Sequence, residues 1–307
     1  MVVEKNLRIF GKIQVFLKFY LLSWQIVMTM PFSLHENINL VSEEMPFEIS
    51  PASAKNHLCQ KPESFHLFNE KLTVPQLEDY LKRARLEEIL QKSLLRFGAM
   101  LITGRTGTGK TALAADFARN YQHIAWFSVE LTETDWEVFY QYFYESLRQM
   151  GVQPHLLRGN KPQGSENISS SLENLLANAA SSIKKKPALI VIDGIHNVFD
   201  TEWFGEFFMT LLHSLSPQIH LLMLSRSAPP LPLWRLRSKQ FLGVIDEKIL
   251  AFTTQETEEL LKKKGISSEN VKFVHAETRG RISRLKNFIN QRFNEQSGKN
   301  LTPEKNA

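Results

Sequence analysis

One octapeptide constrains this chain more than any other feature. Gly104-Arg105-Thr106-Gly107-Thr108-Gly109-Lys110-Thr111 matches the pattern G-x-x-x-x-G-K-[ST] at every fixed position. Before it runs the apolar stretch Ala99–Thr103 (AMLIT), and after it residues 111–121 are helical in composition. The glycines let the backbone curl so that successive N–H groups point into one concavity, and the positive end of the following helix adds to the pull on an anion. Such a loop is a phosphate cradle. Lys110 is placed to reach the β- and γ-phosphates of a bound nucleotide, and the Thr111 hydroxyl to ligate Mg²⁺.

The cradle demands a strand before it and a helix after it within a parallel sheet, and the surrounding sequence supplies more of the same. Residues 123–129 (HIAWFSV), 188–192 (ALIVI) and 220–224 (HLLML) are too uniformly apolar for half-exposed strands. Between them lie helical stretches at 136–150, 171–185 and 203–215, the second ending in Lys184, Lys185 and Lys186 before Pro187. The aromatic group Trp136, Phe139, Tyr140, Tyr142, Phe143 and Tyr144 is read as core packing, with a partner-binding face as the alternative. Residues 75–96 place Leu77, Tyr80, Leu81, Leu86, Ile89, Leu90 and Leu94 at helical spacing, which predicts one or two amphipathic helices. The fold class is α/β: a parallel P-loop sheet with helices on both faces, spanning 74–250. A small all-helical appendage follows over 251–294. Thr253 and Glu256 form a capping box for a helix over 255–264, and further helices are expected near 268–277 and 282–293, with a frayed polar tail over 295–307.

Residues 1–73 read as a leader. Its apolar stretch 13–30 is broken by Gln14, Lys18, Ser23 and Gln25, a poor match to a membrane span or a cleaved signal, so a packed helix is expected. A translation start at Met28 or Met30 is the alternative. Lys and Arg number 37 against 32 Asp and Glu, a net charge of +5, and the excess sits at the two ends, leaving the middle near neutral. A global positive field for nucleic acid is therefore not expected of the core. Cys59 is the only cysteine, which excludes an intrachain disulfide and fits a reducing, cytoplasmic setting.

A magnesium-bound triphosphate also needs a carboxylate at the end of a neighbouring strand, and Asp193 stands directly after the apolar run 188–192. Ser225 and Arg226 close the last apolar strand and bring a cation to the same edge of the sheet, where Arg226 is expected to sense the γ-phosphate, with a structural ion pair as the alternative. His196 reads as a hydrogen-bonded structural residue, and the prolines 229, 230 and 232 before Trp234 as a connector.

Several of these segments together resemble the ATPase module of the STAND class, and within it the large ATP-dependent LuxR-type regulators typified by the activator of the maltose regulon. They are Trp126 to Glu130 with Glu133, Glu137, Phe139 and Tyr142; Ile192-Asp193-Gly194-Ile195-His196; Leu224-Ser225-Arg226 through Leu236-Arg237; and Leu250-Ala251-Phe252-Thr253. Arg83-Ala84-Arg85-Leu86 resembles the segment that precedes the family's P-loop, and residues 276–288 its glycine-tryptophan helix start, with Arg281 in place of tryptophan. The resemblance covers about residues 83–293. It implies a switch in which ATP, held between core and appendage, favours an open, self-associating form and ADP a closed one, in signal transduction or transcription regulation.

Two departures qualify that expectation. The family's second acid after the Walker B strand, which polarises the attacking water, is here Gly194, so hydrolysis is expected to be slow or absent. No room is seen for the family's sensor repeats or its DNA-reading domain, so a protein partner or ATP-dependent self-association is expected instead. An active AAA-like ATPase working on nucleic acid or protein complexes, and a nucleotide-loaded scaffold without catalysis, stay open as alternatives.

Overall fold

The computed structural model describes residues 67–77, 80–152, 167–183, 187–267 and 270–299. Among them, five strands build one parallel sheet: β1 (Ala99–Thr103), β2 (His123–Ser128), β3 (Ala188–Asp193), β4 (Ile219–Ser225) and β5 (Gly243–Ile245), in the order β2-β3-β4-β1-β5. The helices, in chain order, are α1 (Ala84–Phe97), α2 (Lys110–Ala118), α3 (Trp136–Gln149), α4 (Ile168–Ser182), α5 (Phe204–His213), α6 (Leu233–Ser238), α7 (Glu247–Leu250), α8 (Thr254–Lys263), α9 (Val271–Thr278) and α10 (Ile282–Lys299).

Alternate residues of a strand point to opposite faces, and both faces of this sheet are covered. Ile190 and Ile192 of β3 and Leu221 and Met223 of β4 pack with α3, α4 and α5. Leu189 and Val191 of β3 and Leu222 and Leu224 of β4 pack with α1 and α2 on the other side. That explains the unbroken apolar strands. The aromatic group of α3 is core: Trp136, Phe139, Tyr140, Tyr142 and Phe143 are buried, and Phe139 lies 4.9 Å from Phe207 of α5, ring centre to ring centre. The Asp135 side chain accepts from Glu137 and Val138 N–H groups and fixes where α3 starts. A third, smaller core of Phe252, Leu260, Leu261, Val271, Val274, Leu285 and Ile289 holds α8, α9 and α10 together as the helical appendage.

The structure differs from the sequence reading in four places. β4 lies between β1 and β3, so Asp193 ends the next strand but one rather than the strand beside the P-loop. Helix α1 begins only at Ala84, and Leu77, Tyr80 and Leu81 run ahead of it outside any helix. Their spacing serves contact with two other elements rather than one helical face. Residues 69–72 already form a 3₁₀ turn whose Leu72 enters the core, where a loose leader was expected. Helix α10 continues to Lys299, since nothing between Phe293 and Gln296 breaks it. The three-residue strand β5 and the short α6 and α7 gave no periodic signal long enough to detect. The apolar stretch 13–30, the connection 153–166, the lysine run 184–186 and the tail from 300 lie outside the described residues. No described helix is long and apolar enough to cross a membrane.

Candidate functional site

The carboxyl ends of β1, β3 and β4 converge on the octapeptide. Gly107 and Gly109 take φ of +77° and +89°, a region L side chains rarely adopt, and this turns the loop into α2. No side chain caps the first turn of α2, so its N–H groups face the loop's concavity. Lys110 is buried, with Nζ 2.5 Å from the Gly104 carbonyl and 3.0 Å from that of Arg105. Burial lowers its pKa, and the nearby Asp193 pulls the other way. An ammonium surrounded by neutral carbonyls is short of counter-charge, which an oligophosphate would supply.

The Thr111 hydroxyl donates to Asp193 Oδ2 at 2.6 Å, closing the gap left by the intervening β4. Burial pushes the Asp193 carboxyl up from its ordinary value, against the opposing pull of the Thr111 hydrogen bond and Lys110. A desolvated carboxylate beside a threonine hydroxyl, both oxygen donors, is a fitting pair for a hard divalent cation. Among the described residues no cluster of three or more His, Cys, Asp or Glu forms a metal site by itself, so such an ion would take its remaining ligands from phosphate oxygens and water. Arg226 lies exposed at the end of β4 and lines the same cleft, and no ion pair joins it to another of the described residues. His196 lines it too, but against the expectation of a hydrogen-bonded structural residue its ring nitrogens are buried and without a partner among the described residues. Burial first, then Arg226 and Lys110, lower its pKa.

This polar cleft, of about 510 Å³, meets a second cavity of about 630 Å³ at Gly107 and Gly109, which line both. The second cavity is mostly apolar. Its walls come from four stretches far apart in sequence: Leu77, Tyr80 and Leu81 ahead of α1; Leu113 of α2; Phe252 and Leu260 of the appendage; and Ile282 and Ile289 of α10. Its size and apolar lining suit a planar organic group. The Tyr80 hydroxyl is buried without a partner among the described residues, which leaves a hydrogen bond available there.

Two clasps hold the appendage against the core, and the sequence reading missed the partners in both. Buried Arg83 donates to the Leu250 carbonyl at 2.7 Å and the Ala251 carbonyl at 2.9 Å, pairs with Glu256 at 2.9 Å and lies 4.1 Å over the Phe252 ring. Burial raises the Glu256 carboxyl, but Arg83, the Thr253 N–H and Arg85 hold it below its ordinary value. Its oxygen also completes the anticipated capping box of α8. The second clasp is Glu247, which accepts from Arg105 of the P-loop at 3.2 Å and from Arg281 at the start of α10 at 3.0 Å. Arg105 foremost, with Arg281 assisting against slight desolvation, lowers the Glu247 pKa to about 2. Arg281, at the family's tryptophan position, thus ties the appendage to the phosphate loop. The Arg83-to-Leu86 segment was visible, but nothing local showed that Glu247 or Glu256 would meet those arginines.

Residues 96–226 match the model of a family described as AAA domain. The "HTH-type transcriptional regulator MalT" of Vibrio cholerae is 27% identical over 191 residues, 61% of this chain and 21% of that protein. The same regulator from Klebsiella pneumoniae is 28% identical over 201 residues, 63% of this chain and again 21% of its own length. The matched stretch thus spans about a fifth of these curated relatives. Among solved structures, the Walker-type ATPase PABY2304 of Pyrococcus abyssi aligns with a TM-score of 0.43 at 12% identity, covering 67% of this chain and 66% of that one. The relatives agree with the resemblance read from the motifs: residues 96–226 are similar to a P-loop domain of the AAA kind, and the stretch is similar to MalT-type regulators.

Proposed function

Starting from a chain that carries an AAA-type P-loop domain, we propose that it is an ATP-binding switch of the STAND type, with slow hydrolysis. The observation that carries this is the meeting of the polar cleft and the apolar cavity at Gly107 and Gly109, with α10 of the appendage forming part of the cavity wall. Residues 104–111 cradle the triphosphate, Thr111 and Asp193 hold Mg²⁺, and Arg226 meets the γ-phosphate. Bound Mg²⁺ neutralises phosphate charge. The base and sugar fill the cavity between core and appendage.

Coupling follows from contact. Ser283 and Ile282 of α10 abut Gly107 and Gly109, and Glu247 ties Arg281 to Arg105, so a change in the phosphate loop is felt directly by the appendage. Loss of the γ-phosphate would release Arg226 and let the loop and clasp re-form around ADP.

Binding of a fluorescent ATP analogue, lost in Lys110→Ala, tests the nucleotide site; undiminished binding overturns it. Sizing the protein with ADP and with a non-hydrolysable ATP analogue tests the switch. Larger assemblies with the ATP analogue alone are expected, and the same size in both states contradicts the reading.

A further inference from the structure

We infer that Glu130, at the exit of β2, is the carboxylate that takes the proton from the attacking water during ATP hydrolysis. The inference rests on the ATP site proposed above and supplies the group that Gly194 cannot. Gly194 follows Asp193 with φ +82°, and a Cβ there would lie 2.5 Å from the Val129 carbonyl oxygen. Backbone of the adjoining strand already fills the place where a side chain at 194 would begin. The residue that continues from that carbonyl is Glu130.

Its position is fixed by the sheet. Ser128 is in register with Asp193, the Val129 N–H donates to the Asp193 carbonyl at 2.7 Å, and Asn197 Nδ2 donates to the Val129 carbonyl at 2.8 Å. Glu130 therefore leaves the sheet beside Asp193 and lines the phosphate cleft with Lys110, Thr111 and Arg226. Its side chain caps the 3₁₀ turn 131–133 by accepting from the Glu133 N–H and lies 2.9 Å from Lys71 Nζ, yet it is 62% exposed, so it is held at one edge while open to water. Asp193 is the other carboxylate lining the cleft, and it is engaged by Thr111. Glu133 is buried against Lys71 and the Glu130 N–H, and Glu247 is taken by Arg105 and Arg281. The unpartnered nitrogens of His196 on the same wall offer the water a further hydrogen bond.

In the step, a water oxygen bonds to the γ-phosphorus as the bond from that phosphorus to the β,γ-bridging oxygen breaks. The electron pair of the broken bond leaves with ADP. The water proton passes to a Glu130 carboxylate oxygen and from there to the released phosphate, so nothing is oxidised or reduced. Lys71 keeps the carboxylate oriented and is a positioning residue.

The test is single-turnover phosphate release by the full chain with Mg²⁺ and radiolabelled ATP, beside equilibrium binding of a fluorescent ATP analogue. Glu130→Gln keeps the hydrogen-bond acceptor of the local cap. It should bind the analogue within about twofold of the parent and release phosphate about 10²–10⁴ times more slowly. Release by Glu130→Gln within about threefold of the parent overturns the inference, as does a parent that binds ATP and releases no phosphate. Glu130→Asp, with the charge drawn back by one bond, serves if the glutamine variant does not melt cooperatively: a loss of about 10²-fold with binding intact is expected, and an unchanged rate overturns the inference. Absence of analogue binding by the parent strikes the ATP site itself, so the two failures are told apart.

Discussion

The polar cleft and the apolar cavity share two glycines and are assembled in opposite ways. The cleft is one contiguous octapeptide with the ends of β2, β3 and β4 brought to it, and its groups are charged, with Lys110 and Asp193 both shifted by burial. The cavity is walled by side chains from residue 76 to residue 290, mostly apolar with Lys264 and Lys286 at its edge, and the charges of the two clasps beside it, Arg83 with Glu256 and Arg281 with Glu247, are already paired. One region holds charge waiting for a ligand, and the other holds charge spent on keeping two parts of the chain together. Substitutions of the cleft's charged side chains should therefore change affinity with little loss of fold, and substitutions around the cavity should do the reverse.

Phe252→Ala should have the largest effect. It removes a buried ring that packs with the appendage and carries the Arg83 guanidinium, so a destabilisation of about 3–5 kcal/mol is expected by denaturant unfolding. A loss under about 1 kcal/mol would break the contrast. Lys110→Ala should weaken binding of an ATP analogue by at least about 10–100-fold, the worth of hydrogen bonds to a charged group, while the ligand-free protein melts nearly as before. Gly194→Asp should cost about 1–3 kcal/mol from the left-handed backbone alone, more with the overlap on Val129, and should not speed phosphate release.

Asp193→Asn sharpens the comparison through its sign. Burial raises the Asp193 carboxyl, so its charged form is a burden on the ligand-free fold at neutral pH, and the asparagine should melt slightly higher without Mg²⁺ and lose the gain that Mg²⁺ gives with ATP. Glu247 runs the other way. Its folded pKa of about 2 lies below the ordinary 4.5, so its contribution is present above pH 4.5 and is lost as pH falls toward 2. Because the clasp is partly exposed, Glu247→Gln should cost at most about 1 kcal/mol at neutral pH, and the difference from the parent should shrink as acid is added.

The same contrast explains what the sequence could reveal. The P-loop, Asp193 and Arg226 were legible because each sits at the end of an apolar strand, and strand ends in a parallel sheet meet at one edge. Thr253 and Glu256 were legible because a capping box is closed within four residues. Leu77, Tyr80 and Leu81 were misread as a helical face because an irregular wall touching two elements can carry the same spacing. Glu247 gave no signal, since its partners lie 142 and 34 residues away. Glu130 was visible only as one letter of a family segment; its place beside Gly194 needed the β2–β3 register.

Hydrogen exchange of α10 tests the coupling of cleft to appendage most directly. With Mg²⁺ and either ADP or a non-hydrolysable ATP analogue, residues 104–113 should be protected in both states, since the loop grips phosphate in each. Residues 281–289, which touch the loop through Ile282 and Ser283 and reach Arg105 through Glu247, should differ between the two nucleotides. Equal exchange of residues 281–289 in both states, with the loop protected, would mean that nucleotide is bound but not sensed and would contradict the account.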